Sequence, residues 1–381
     1  MRLRLVAAVV IVVAVLIALV TMRCCPRDPH TVAPETSAPN IQVRPSTPVS
    51  TLQRTTAVET AAHRHSAPTG SRCDYPLLED WVEPKALEQV RQAILATLSE
   101  SEDSDSLAAA AMLLKFTDAS QRTSLDMIDR AIAQSPVDPV LRMLAYDLCR
   151  RSPPDDVTRS CLDSERRQRL LDWVERDRGN GAAWAELALT DFLAGDTNRG
   201  LTALAEAASA THTSTYFVEL VERSEIALHG AGMPFPDSAG YGFAFAAGVA
   251  SVGLTQYCQD NAPNDALLRQ HCFGYYELLA NTSNTLIGQS IGLALQVRLT
   301  VDDPSRAEQH AELEERQRHL TTRMDAAFAA MRAHERWMLS DRSRFYAQIN
   351  TWRASDELTA LEDSRERRLR HERAFNCTFS D

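Results

Sequence analysis

The chain has 381 residues and a formal net charge of −11, with 24% charged and 44% hydrophobic residues. This length allows one large or two modest domains, and the composition is ordinary for a globular protein. The acidic balance excludes a general nucleic-acid binder, because such proteins need a basic surface that displaces counterions. Good helix formers dominate, and glycine occupies only 14 positions. We therefore predict an all-α protein.

An unbroken apolar run, LVAAVVIVVAVLIALVTM, occupies residues 5–22. As a helix it would span roughly 27 Å, close to the hydrocarbon thickness of a bilayer. The residues before Arg23 offer no small-residue cleavage site, and Arg23 is unlike the small residue that precedes a lipidated cysteine. We predict an uncleaved transmembrane signal anchor at residues 5–22, with residues 1–4 as a cytoplasmic tail. Cys24 and Cys25 would then lie at the membrane surface, as free thiols, as a link between two copies or as acylation sites.

Residues 23–73 are rich in Pro, Ser and Thr and show no apolar periodicity. A segment of this kind cannot bury a core, so we predict a disordered tether. It contains His63 and His65, but a pair of histidines without a third ligand is a poor metal site. We accordingly predict no metal and no cofactor.

Six cysteines beyond the membrane-proximal pair are candidates for disulfides. Two pairs each enclose a short polar loop between apolar helical stretches, which is typical of a local disulfide, and the last two cysteines flank the folded region. The predicted pairs are Cys149–Cys161, Cys258–Cys272 and Cys73–Cys377. The alternative is that these residues are buried free thiols. Oxidised pairs imply export, so we expect the folded region on the periplasmic side of the inner cell membrane.

Amphipathic segments separated by short Gly, Pro or Asn breaks begin near residue 84. The predicted helices cover residues 84–100, 107–117, 121–135, 139–151, 164–178, 182–194, 199–211 and 216–228. Their lengths indicate paired antiparallel helices. We divide the folded region into a helical repeat domain, residues 74–232, and a C-terminal helical domain, residues 233–381.

One stretch carries apolar and small residues at the spacing of a helical hairpin: Trp184, Leu187, Ala188, Gly195, Leu204 and Ala207. It resembles the tetratricopeptide repeat, and the resemblance extends over residues 107–228. Asp191 stands where that family usually has an aromatic residue, and His212 where it often has proline. The resemblance implies stacked hairpins whose groove binds a protein or a peptide. The candidate binding residues are Trp184, Leu187 and Asp191.

The C-terminal domain contains two further patterns. Residues 238–254 are apolar all round and rich in small residues, which favours a buried helix over a second, rather short membrane span. Gly288 and Gly292, in a helix predicted over residues 286–299, form the surface expected to pack against it. After Asp303 and Pro304, which mark a helix start, an apolar stripe predicts a long amphipathic helix. This stripe would dock on the protein's own helices or form a coiled-coil dimer.

Motifs that hold phosphates, dinucleotides, a serine nucleophile or a catalytic zinc ion are missing from the sequence. Glu219, Glu222 and Glu225 share a helix face that could hold a metal or supply an acid and a base, but we interpret it as solvated. We predict no catalytic residues and a membrane-anchored envelope scaffold or protein-interaction module that uses the repeat groove.

Two other interpretations stay open. One is an envelope enzyme that acts on peptidoglycan, a lipid or a small molecule through an unrecognised carboxylate or histidine site. The other is a lipid- or protein-quality factor that uses residues 238–254. A homo-oligomer is compatible with each of these functions.

Overall fold

The computed structural model describes residues 71–73, 84–114, 121–150, 161, 163–247, 253–329 and 331–379. The cytoplasmic tail, the anchor and the tether up to residue 70 lie outside these residues. Among the helices that are described, none is apolar over enough of its length to cross a bilayer. Residues 71–381 form one compact unit, and helices on both sides of residue 232 belong to it.

Helices make up nearly all of the described chain, which confirms the all-α prediction. They are α1 (Pro84–Ser99), α2 (Ser104–Leu114), α3 (Gln121–Gln134), α4 (Pro139–Arg150), α5 (Asp163–Arg176), α6 (Gly181–Leu193), α7 (Thr197–Ser209), α8 (Phe217–Gly230), α9 (Asp237–Ala247), α10 (Gly253–Asn261), α11 (Ala266–Thr282), α12 (Leu286–Thr300), α13 (Ala307–Phe328), α14 (Met331–Leu339), α15 (Arg342–Ala354) and α16 (Glu357–Phe375). Two 3-10 turns, Ala262–Asn264 and Pro304–Arg306, and two short strands, β1 (Ser71–Arg72) and β2 (Cys377–Thr378), complete the described elements.

Consecutive helices pack as pairs, α2 on α3, α4 on α5 and α6 on α7, and each pair contacts the next. The third pair shows how the sequence sets such a hairpin. Gly195 adopts a φ of +80° in the turn, a conformation that costs glycine little. Asp196 then caps α7, because its carboxylate accepts a hydrogen bond from the Arg199 N–H at 3.1 Å. Gly195 therefore lies in the turn where the sequence places it.

The small residues of the C-terminal half pack against helices other than those predicted from the sequence. The 238–254 segment forms α9, which ends at Ala247, and α10 begins at Gly253. α9 packs on α8, and a Cβ on Gly242 would lie 2.7 Å from the Val221 carbonyl oxygen. Gly292 brings α12 onto α11 instead, since a Cβ there would lie 2.5 Å from the Ala280 nitrogen. Helix α11, rather than the 238–254 segment, is thus the partner of the glycine surface.

After residue 304 the chain forms a 22-residue helix, α13, but the predicted stripe then continues on two separate helices, α14 and α15, so the prediction of one long helix up to Trp352 is wrong in its extent. Asp341 caps α15 by accepting from the Ser343 N–H at 2.7 Å, and Asp356 caps α16 by accepting from the Thr359 N–H at 3.0 Å. Each cap satisfies backbone donors that a continuous helix would have used internally. Seven residues of the stripe are buried within this single chain, as expected if the stripe docks on the protein's own helices: Leu313, Leu320, Met324, Ala327, Met338, Phe345 and Trp352.

Three disulfides close the folded region, and they join the cysteines that the sequence analysis pairs: Cys149–Cys161, Cys258–Cys272 and Cys73–Cys377. The third one links the first described residues to the last, across a sequence separation of 304. It lies beside a parallel pairing of β1 with β2, in which Ser71 faces Cys377. Residues 71–72 therefore form a strand of the folded region. The tether, predicted to extend to residue 73, does not include them.

Candidate functional site

The three candidate binding residues on α6 do not form an open surface. Leu187 and Asp191 are buried, at 5% and 3% exposure. Asp191 accepts a hydrogen bond from Arg167 Nη2 of α5 at 3.0 Å, so its carboxylate is neutralised inside the hairpin array. Trp184 is half-buried, and its indole N–H donates to the Arg178 carbonyl at 2.9 Å. These residues hold α5 and α6 together, and only Trp184 keeps surface that a partner could reach.

The inner face of the first two helix pairs is covered by helix α8 of the same chain. All residues of α2 from Leu107 to Leu114 are buried, and α2 contacts α1, α3 and α8. Between α2, α4 and α8 there remains a cavity of about 10 Å³, room for no more than one water molecule. Leu220 of α8 lines this cavity together with Met112 and Leu144. The groove that the repeat resemblance implies is therefore filled along this stretch.

Ion pairs fix α8 in this position. Arg223 Nη1 donates to Asp138 at the start of α4 and lies 3.5 Å from the Asp105 carboxylate of α2. Burial raises the pKa of Asp105, and the Arg223 charge partly offsets this effect. Because the two aspartates come from different helix pairs, one guanidinium joins both pairs to α8.

A fully buried carboxylate anchors the other side of α8. Glu225 is 0% exposed and accepts two hydrogen bonds from Arg342 of α15, both at 3.0 Å. It also accepts from the Tyr346 hydroxyl and, at 3.2 Å, from the Ser238 hydroxyl. With four donors satisfied, the buried charge is compensated and ties α8, α9 and α15 together. The prediction of a solvated glutamate face is wrong at Glu225.

A polar network lies where α5, α6 and the segment before α8 meet. The Tyr216 hydroxyl donates to the Asp177 carboxylate and lies 3.2 Å from Asn180 Nδ2 and 3.3 Å from Trp173 Nε1. Burial, followed by the hydrogen bond to Asp177, raises the pKa of Tyr216, so the phenol stays a donor. Tyr216 has a φ of +53°, in the left-handed region that a bulky residue rarely adopts. These contacts hold the ring in place and offset that backbone strain.

The same network contains an arrangement with the elements of a nucleophile, a base and an acid. His212 Nδ1 lies 3.2 Å from the Thr211 hydroxyl, and His212 Nε2 lies 3.3 Å from the Asp177 carboxylate. The imidazole could accept a proton from the hydroxyl while the carboxylate stabilises the resulting cation. However, the Thr211 hydroxyl also donates to the Gly179 carbonyl at 3.3 Å, which ties it to the backbone. The same hydrogen bonds also have a purely structural effect, because they join the loop at residue 179 to the loop at residue 212.

An open groove lies between α11, α12 and α13. It has a volume of about 410 Å³ and is widely open to solvent. Its lining residues, which define the α11–α13 groove, are Ala280, Gln289, Leu293, Glu315, Arg316, His319 and Leu320. Leu293 and Leu320 are largely buried and form an apolar floor, whereas Arg316 and His319 are exposed at the rim.

Contacts across the helices shape this groove. The close approach at Gly292 brings α12 onto α11, and Arg316 of α13 reaches over to donate to Asn281 Oδ1 at 2.8 Å. Gln289 is held by a hydrogen bond from its Nε2 to the Ser283 carbonyl at 3.0 Å. The groove is lined by residues up to 40 positions apart in the sequence. The Gly288–Gly292 spacing is the one local pattern that predicts close helix packing at this place.

The chain matches no family model, no curated protein and no solved structure in comparisons with known proteins.

Proposed function

We propose that this protein is a membrane-anchored scaffold of the cell envelope that binds a protein partner through its helical domain. The apolar run at residues 5–22 supports the anchor, and the three disulfides support export of the domain to the periplasmic side. The paired helices α2 to α7 support the tetratricopeptide-like architecture. Helix α8 covers α2 and α4, so the binding surface differs from the one that the repeat pattern suggests.

The observation that carries the proposal is the α11–α13 groove. Its floor of Leu293 and Leu320 is apolar. Its rim carries the guanidinium of Arg316 beside Glu315, whose carboxylate already accepts a hydrogen bond from Arg318. We propose that the groove takes a peptide segment of a partner in which an apolar residue lies beside a carboxylate. Desolvation of the apolar side chain would supply affinity, and the guanidinium would fix the direction of the segment.

Site-specific photocrosslinking in intact membranes tests this surface. A photoreactive residue at position 319 is expected to give a discrete adduct, whereas one at position 370, on the exposed face of α16, is expected to give none. Arg316→Glu should abolish the adduct, and the matched charge reversal Arg370→Glu should leave it unchanged. Equal adducts at positions 319 and 370, or insensitivity to Arg316→Glu, would contradict the proposal. An adduct of twice the chain's mass would identify the partner as a second copy.

The topology is tested separately. Fusions of a periplasm-dependent phosphatase after residue 73 and after residue 381 should both be active, and a fusion lacking residues 5–22 should be inactive. Extraction of the intact chain from membranes should require detergent rather than alkaline carbonate. Release by carbonate, or an inactive fusion after residue 73, would contradict an anchor with this orientation.

A second candidate function is an envelope hydrolase, and the arrangement of Thr211, His212 and Asp177 is what favours it. If Thr211 is a nucleophile, a reactive β-lactone probe should label the intact chain, and Thr211→Ala and His212→Gln should both abolish labelling. Thr202→Ala, which changes an exposed threonine on α7, is the matched control. Unlabelled wild-type protein would remove this candidate and leave the cluster as a contact between two loops.

A further inference from the structure

Three potential metal ligands converge at the carboxyl end of α16. The Sγ atoms of Cys73 and Cys377 and a ring nitrogen of His371 all lie within 4.8 Å of one another. The first cysteine follows β1, the second begins β2, and the histidine lies on the last turns of α16. The structure has the two sulfur atoms joined as a disulfide.

The backbone holds these ligands together independently of the sulfur–sulfur bond. Asn376 ends α16 with a φ of +47°, which reverses the chain so that Cys377 comes back beside His371. The Cys73 N–H donates to the Thr378 carbonyl at 3.2 Å, beside the pairing of β1 with β2. Reduction of the disulfide would therefore leave the two thiols close to each other and to the imidazole.

Aromatic residues flank the half-buried imidazole of His371. Its ring centroid lies 4.9 Å from that of Trp337 and 4.4 Å from that of Phe375. The buried Phe379 packs against Trp337, with Cys73 beside this apolar cluster. Trp337 and Phe375 therefore restrict the orientation of the His371 ring on two sides, although Phe375 itself is largely exposed.

We propose that Cys73, His371 and Cys377 form a zinc site when the disulfide is reduced. A dithiol reductant would transfer two electrons and two protons to the disulfide and become a disulfide itself. Zn²⁺ would then displace one proton from each thiol and bind two thiolates and the neutral imidazole. A water molecule would complete the tetrahedron, because the site is only half-buried at Cys73 and His371.

The ligand set and its spacing fit this metal. Zinc binds thiolate at about 2.3 Å and imidazole at about 2.0–2.1 Å, so tetrahedral ligands lie roughly 3.3–3.8 Å apart. The three ligand atoms already lie within 4.8 Å of one another, about 1 Å beyond these tetrahedral spacings. The consequence is that residue 73 stays attached to the end of α16 in either redox state, through sulfur when oxidised and through zinc when reduced.

Cobalt binding to the full chain tests the proposal. Cys24→Ser and Cys25→Ser remove the membrane-proximal thiols, and the detergent-solubilised protein is reduced with a phosphine and desalted under argon. Titration with Co²⁺ should produce thiolate-to-cobalt charge-transfer absorption that saturates at one ion per chain and disappears when Zn²⁺ is added. The same reduced protein, alkylated with and without Zn²⁺, should show protection of Cys73 and Cys377 by peptide mapping.

Variants assign the ligands. His371→Gln should weaken Co²⁺ binding by about 10-fold or more, and the double change Cys73→Ser with Cys377→Ser should abolish it. The matched controls are His310→Gln, on α13, and Cys149→Ser with Cys161→Ser, both of which should bind as the parent does. An absent charge-transfer band, an unchanged affinity in His371→Gln, or protection of other cysteines in the parent would overturn the proposal. The mapping on the parent protein keeps the test decisive if a variant does not fold.

Discussion

Glu357 is a carboxylic acid at the junction of two helices, and its titration should be visible in the stability of the whole domain. Its Oε2 accepts a hydrogen bond from the Leu286 N–H at 2.8 Å, at the start of α12, and its own N–H donates to the Asn284 carbonyl at 2.9 Å. Burial raises the pKa of Glu357 from 4.5 to about 7, the Leu286 N–H opposes this effect, and the neighbouring Asp356 charge adds to it.

The sign and the size follow from linkage between protonation and folding. The folded state binds the proton more tightly than the unfolded chain, so the stabilisation is complete below pH 4.5 and is lost as the pH rises through about 7. At about 1.4 kcal/mol per pH unit, the loss amounts to at most about 3.5 kcal/mol. Because part of the residue reaches solvent, this figure is an upper bound.

Glu357→Gln keeps an oxygen for the Leu286 N–H and removes the titration. Urea unfolding of both proteins at pH 4.5, 6 and 8 should show the wild type losing stability relative to the variant as the pH rises. The comparison is necessary because His334 acts in the opposite direction: burial lowers its pKa from 6.5 to about 4, so its contribution is lost as the pH falls through this range. His334 is present in both proteins and cancels. Parallel stability profiles of the two proteins from pH 4.5 to 8 would refute the reasoning.

Three further changes test the packing. Glu225→Ala leaves a guanidinium and two hydroxyls without their buried acceptor, so urea unfolding should show the free energy of unfolding lowered by about 3 kcal/mol. A much smaller decrease would contradict this and mean that water replaces the carboxylate. Gly292→Ala should destabilise the protein by about 1–3 kcal/mol, because its Cβ would meet the α11 backbone. Gly240→Ala is the control: a Cβ there meets nothing within 4 Å, so the same assay should show a neutral or slightly stabilising effect. Replacing Cys73 and Cys377 by Ser should lower the free energy of unfolding by about 5 kcal/mol, because this disulfide closes a loop with a sequence separation of 304. Removing either local disulfide should cost only about 3 kcal/mol. Equal losses, measured by thermal unfolding, would contradict this ranking.

Local patterns in the sequence predict most of the helices and two of the three disulfides, and the third is predicted because its cysteines remain and flank the folded region. Turn residues such as Gly195 and the loops enclosed by cysteine pairs act over a few positions, so they can be read directly from the chain. The C-terminal helices show the limit of this reading. The apolar stripe from Leu313 to Trp352 continues across the helix start at Asp341 because each shorter helix also buries one face, so the spacing alone predicts a single helix.

Contacts between distant positions account for what the sequence did not predict. The sequence predicts a solvated Glu225 because no histidine stands at a matching spacing on its helix, but its partner Arg342 lies 117 positions away. The covering of α2 by α8 likewise depends on how the helix pairs stack, which no local spacing encodes. The α11–α13 groove was missed for the same reason, since its floor combines Leu293 and Leu320 from different helices.

The bond between Cys73 and Cys377 has a mechanical consequence. A force that pulls on the chain before residue 71 enters the domain at β1 and passes through the sulfur atoms directly to β2 and the end of α16. The 304 positions between the two cysteines lie outside this load path, so about 1,000 Å of chain cannot be drawn out while the bond is intact. The domain would bear tension as a closed loop, with α1 shielded from unravelling.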